Sequence, residues 1–166
     1  MKRSSTVFLQ VVLVLIGIGV LVAMLWEPTL EGRNAHATLF QIYFNDPFLA
    51  CVYAGSVPFF VALYQAFKLL GYAGESKVFS PAAVNALRTI KYCALVTAAA
   101  IVAVDTYLMI AAHLHPQLAE KDGPEGAVML GIVATFASIV IASAAAMFER
   151  VLQNAVDIKS ENDLTV

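Results

Sequence analysis

The sequence predicts an all-α integral membrane protein, a four-helix transmembrane bundle with both termini in the cytoplasm. Three observations predict it. First, 60% of its 166 residues are AVILMFWYC and 13% are charged, against roughly 25% charged in an average soluble domain. Second, four nearly uncharged runs reach about 20 residues, the length that crosses a hydrocarbon core of roughly 30 Å. Third, the basic residues gather on one side of those runs. The same composition excludes other classes. A net charge of −2 leaves no basic face for direct nucleic-acid binding, and two cysteines do not make a disulfide scaffold. So apolar a chain is not disordered.

The runs are taken in order. Val7–Trp26 carries no charge. Phe48–Leu70 carries only Lys68, near its end, and Pro58 midway, which removes one helical hydrogen bond and is expected to bend the span. Cys93–Ala112 carries Asp105 alone, and Ala127–Phe148 carries no charge. Lipid offers no water to unpaired backbone groups, so these segments are helices or barrel strands. They are twice the length of barrel strands and lack period-two alternation, so helices are expected.

Orientation follows from the short loops. Lys2, Arg3, Lys68, Lys77, Arg88, Lys91, Arg150 and Lys159 fall on one side, and only Arg33 and Lys121 on the other. The first side is expected to be cytoplasmic. Residues 27–47 and 113–126 then face outward, with Thr38–Phe44 lying at the headgroups. A cleaved signal peptide ending at Ala35-His36-Ala37 is the rival reading. Signal cores are shorter and are cut close behind, so Trp26 reads as the interfacial anchor of a retained span. Cys51 and Cys93 open their spans at opposite faces, too far apart to pair within one chain.

Small residues recur every four positions: Ala50, Ala54, Pro58, Ala62 and Ala66; Gly19 and Ala23; Ala134, Ser138, Ala142 and Ala146. Such stripes let helix backbones approach closely in lipid. They are expected to pack the bundle internally, with a homodimer seam as the alternative use.

Two helices are expected to continue into the cytosol. Ser80-Pro81 is a helix start, with serine at the N-cap and proline at the first helical position, so 81–92 leads into the third span. The fourth continues through 149–160. Leu152, Ala155, Val156 and Lys159 share one face there, and Glu149, Gln153, Asp157 and Ser160 the complementary polar face. These extensions either cap the bundle by packing on each other or form a docking surface. The docking surface would comprise Phe79, Leu87, Arg88, Lys91, Leu152, Val156, Asp163, Leu164 and Val166.

Asp105 is the one ionisable residue well inside a span, and a charge there costs about 2.5–3.5 kcal/mol on insertion scales. It is expected to point into the bundle and to hydrogen-bond Ser56 or Thr135. Its role is either to fix helix register or to relay a proton or cation. His36, His113 and His115 lie outside with Glu120, Asp122 and Glu125, and read as interfacial residues rather than a metal site. The spans hold no histidines to ligate haem, and no Cys-x-x-Cys, His-Glu-x-x-His or phosphate-cradling glycine loop occurs. No cofactor and no enzymatic activity are expected.

Lys77-Val78-Phe79-Ser80-Pro81 leading to Arg88-x-x-Lys91, and the ending Ile158-Lys159-Ser160-Glu161-Asn162-Asp163-Leu164-Thr165-Val166, resemble the bacterial membrane proteins grouped as domain of unknown function 2975. The resemblance spans nearly the whole chain. It implies no catalytic residues. Members look to be encoded beside a very small helix-turn-helix regulator, which implies a membrane protein that holds or releases a DNA-binding partner. The expected function is therefore a non-enzymatic regulatory or interaction protein. The alternative is a small proton- or cation-coupled transporter using Asp105.

Overall fold

A computed structural model describes residues 3–30, 47–75, 77–114 and 125–163. Four helices make up the described chain: α1 (Arg3–Leu30), α2 (Pro47–Gly74), α3 (Pro81–Leu114) and α4 (Glu125–Asp163). All four are long and apolar enough to cross a membrane, and no strand occurs among the described residues. Their outward faces carry large apolar side chains, among them Phe8, Leu15, Leu130 and Phe136. A water-soluble fold would bury these groups, whereas lipid solvates them.

The element starts follow from local chemistry. Ser80 Oγ accepts a 3.3 Å hydrogen bond from the Ala83 amide and donates one of 2.8 Å to the Lys77 carbonyl. Pro81 then opens α3 with no amide to leave unpaired. The expected extension 81–92 and the third span form one uninterrupted helix, as do 149–160 and the fourth. Pro58 lies inside α2, which continues through it.

The helices pack in chain order. α1 lies on α2, α2 on α3 and α3 on α4, and no other pair packs beyond an isolated contact. Along α1 and α2, a Cβ on Gly17 would come within 2.8 Å of Leu63 Cδ2, so a side chain there would displace the end of Leu63. Gly19, expected to be the packing glycine, meets nothing within 4 Å. Gln10 Nε2 donates to the Phe67 carbonyl at 3.3 Å, and Tyr53 Oη donates to the Met24 carbonyl at 3.1 Å. These bonds fix α1 near both of its ends.

The α3–α4 seam differs from the expected four-residue stripe. On α4 the seam runs through Gly131, Thr135, Ser138, Ala142, Ala145, Glu149, Leu152 and Val156; of the expected stripe Ser138, Ala142 and Ala146 are covered and Ala134 is exposed. On α3 they include Val84, Leu87, Lys91, Ala94, Ala98, Ile101 and Asp105. Both sets alternate steps of three and four. A strict four-residue stripe drifts about 40° around a helix at each step, whereas the alternating pattern drifts only about 20° per seven residues. A long seam between two straight helices therefore selects the alternating set.

At the end of the bundle that carries both chain termini, Ala83, Val84, Leu87 and Leu152 form a buried cluster, with Leu69, Tyr72, Val78 and Val156 packed against it. Here the extensions of α3 and α4 pack on each other and on the end of α2. Leu87, Leu152 and Val156 therefore face inward rather than toward solvent.

Candidate functional site

Among the described residues, ionisable side chains interrupt the seam between α3 and α4 at two levels. The first lies at its termini end. Arg88 and Lys91 stand one turn apart on α3 and both reach Glu149 on α4. Arg88 Nε donates to Glu149 Oε1 at 2.7 Å, and Lys91 Nζ to Oε2 at 2.6 Å. Glu149 is buried, with 8% of its surface exposed. Both carboxylate oxygens are thus satisfied by charged donors, the arrangement that makes a buried carboxylate tolerable. The hydrogen bonds from Lys91 and then Arg88 hold its carboxyl below the ordinary carboxylate range, outweighing the opposing effect of burial.

This cluster corrects the expectation that Glu149 lies on the solvated polar face of the α4 extension. Helical spacing alone grouped it with Gln153, Asp157 and Ser160. Gln153 Nε2 does donate to Asp157 Oδ1 at 2.8 Å, and Asp157 and Ser160 are exposed. The signal that could have separated Glu149 was the pair of cations Arg88 and Lys91 on the facing helix, one turn apart and awaiting an acid.

The second position is Asp105. Its carboxylate occupies the space where any Cβ on Gly131 would stand, so the side chain points into α4. From Arg88 to Asp105 along α3 is the same run of helix, to within one residue, as from Glu149 back to Gly131 along α4. The two polar positions therefore belong to one straight antiparallel register and lie about 26 Å apart at 1.5 Å per residue. Neither expected partner holds Asp105. Ser56 Oγ donates to the Tyr53 carbonyl of its own helix at 2.7 Å. Its neighbour Gly55 packs at the level of Ala100, more than a turn from Asp105. Thr135 sits one turn along α4 from Gly131 with its hydroxyl buried and unpaired. No hydrogen bond or ion pair to Asp105 occurs among the described residues.

Of the expected docking residues, Phe79 is 57% exposed and Arg88 is half exposed. Leu87 and Leu152 are buried together, and Lys91 is largely covered. Asp163 ends α4, but its side chain, Leu164 and Val166 lie outside the described residues, as do His36, His115, Glu120 and Asp122. Among the described residues, no three His, Cys, Asp or Glu side chains gather to hold a metal.

The family described as "Protein of unknown function (DUF2975)" matches residues 31–166. The chain belongs to this family. A relative from Bacillus subtilis (strain 168), named uncharacterized membrane protein YoaS, is 40% identical over 167 residues, covering 100% of both chains. No solved structure matches. Membership accords with the four membrane-crossing helices and identifies a membrane protein, and it brings no activity with it. Among the described residues, the Glu149 cluster and the Asp105–Gly131 contact are where ionisable side chains lie between α3 and α4.

Proposed function

We propose that the chain is a non-enzymatic regulatory or interaction protein of the bacterial plasma membrane, which docks a small helix-turn-helix regulator at its cytoplasmic end. One observation carries this reading. Past Glu149, α4 runs on as far as Asp163, about 21 Å of helix at 1.5 Å per residue. Its inner face is clamped to α3 by Leu152 and Glu149, yet Val151 and Ile158 remain 53% and 61% exposed, with Phe79 exposed at the same end. An apolar strip that leaves the bilayer calls for a cover. Because Leu87 and Leu152 are taken up by each other, the docking strip is Val151 and Ile158, with Phe79 near the start of α3.

The test is capture of the regulator encoded beside the gene by the purified full-length chain. Val151→Glu and Ile158→Glu are each expected to weaken capture about tenfold, the scale of an interface anchor. Unchanged capture by the double variant sinks the docking strip.

A second reading rests on Asp105, an unpaired carboxyl facing Gly131 one turn from the buried, unpaired hydroxyl of Thr135. Polar groups left open between membrane helices mark ion pathways. On this reading, Asp105→Asn abolishes proton-driven flux in reconstituted vesicles while the variant folds normally. A wild-type chain that carries no flux removes the reading.

A further inference from the structure

We propose that the termini end of α2 and α3 binds the phosphates of anionic phospholipids, at Arg88 and Lys91 on α3 and at Lys68 on α2, with Tyr64 and Tyr92 seated at headgroup level. Charge balance comes first. Arg88 and Lys91 share the single carboxylate of Glu149, so the cluster keeps one positive charge. Arg88 spends its Nε on Glu149, and its side chain is 50% exposed. The amino groups of its guanidinium fork remain, the geometry that grips a phosphate with two parallel hydrogen bonds.

Position comes next. Lys91 Nζ lies 4.7 Å from the Tyr92 ring centroid, and Lys68 Nζ lies 5.5 Å from that of Tyr64. Both tyrosines are well exposed, at 57% and 61%. The α2–α3 register is set by Gly55 beside Ala100 at one level and by Leu69 and Tyr72 in the Val84–Leu87 cluster at another. That antiparallel register brings Lys68 level with Arg88, and Tyr64 level with Tyr92. Two lysine–tyrosine pairs on adjacent helices thus stand at one depth, where the apolar runs of both helices end.

Tyrosines concentrate where hydrocarbon gives way to headgroups, and a lysine stem can lie along the ring while its ammonium reaches the phosphate. Among the described residues Lys68 makes no ion pair. Its charge is therefore available to a lipid, as is the uncompensated charge of the Glu149 cluster. Among the described residues, no lysine or arginine stands at the far ends of α3 and α4, which end at Leu114 and begin at Glu125.

The experiment uses the full-length chain purified in mild detergent. It is titrated with phosphatidylglycerol, phosphatidylcholine and inorganic phosphate, and retained molecules are counted by native mass spectrometry. Phosphatidylglycerol is expected to bind at least tenfold tighter than phosphatidylcholine. Lys68 makes no ion pair among the described residues, so Lys68→Gln breaks none there, and it should lower that preference about fivefold, the worth of one cation near an anionic surface. Lys68→Gln with Arg88→Gln should bring it close to parity. A preference untouched by Lys68→Gln and by the double variant overturns the proposal. So does inorganic phosphate binding as tightly as the lipid, which would assign the cations to a soluble anion.

Discussion

Glu149→Ala is expected to destabilise the folded chain by about 3 kcal/mol, at the low end of the roughly 3–5 kcal/mol for breaking a fully buried ion pair. The reduction comes from Arg88, whose side chain is 50% exposed and recovers solvation in water. Lys91 recovers less, because its side chain is only 22% exposed. Removing the carboxylate therefore leaves a covered ammonium beside the Val84–Leu87–Leu152 cluster with nothing to neutralise it. The built-in reporter is Cys93, a half-buried free thiol two residues along α3 from Lys91. In a Cys51→Ser background, which removes the exposed thiol, a thiol-reactive fluorophore reads thermal unfolding at Cys93. The Glu149→Ala midpoint should fall by several degrees. An unchanged midpoint means that the cluster contributes nothing to holding α3 and α4 together.

The pH dependence has a definite sign. The folded-state pKa of Glu149 is lowered from its ordinary value of 4.5. The contribution is complete above that ordinary value and is lost as pH falls through the lower folded value. The wild-type chain and Glu149→Gln should therefore differ most at neutral pH and converge under acid. Convergence at high pH instead would mean that the lysine, rather than the carboxylate, governs the pair.

The fold was legible in the sequence where physics acts on composition. Each of the four apolar runs lies within one helix, and Ser80-Pro81 marks the start of α3, because spanning length and capping are local properties. Register was not legible, because it depends on two helices at once. Of the stripe Ala134, Ser138, Ala142 and Ala146, the last three are covered and Ala134 is exposed, and the seam instead continues through Thr135 and Gly131. The same blindness put Glu149 on a solvated face and sought Asp105 a partner at Ser56. A helical wheel gives angles within one helix. It says nothing about how far a neighbour slides along its axis, and a slide of about one and a half turns exchanges Ser56 for Ala50 and Cys51 opposite Asp105. The charged pair Arg88 and Lys91 held the missing information. Once Glu149 is assigned to them, counting back along α4 places Gly131 at Asp105.

Gly131→Leu is expected to have an effect of similar size through a different cause. Any side chain at 131 must share space already filled by the Asp105 carboxyl group. Asp105 is short, so it can yield to a single methyl by rotating, but not to a leucine without α3 and α4 moving apart. Overpacking of this kind costs about 1–3 kcal/mol, and separation along a seam of Ala94, Ala98, Ala142 and Ala145 loses further close contacts on both sides. Gly131→Ala should cost about 1 kcal/mol, and pairing it with Asp105→Ala should recover that loss, since the inserted methyl then meets the vacated space. The Cys93 melting assay distinguishes the outcomes. Recovery in the double variant makes the glycine a seat for the aspartate. A double variant whose loss is the sum of the two single losses means that glycine serves backbone approach instead, and that Asp105 is held by something other than its fit against α4.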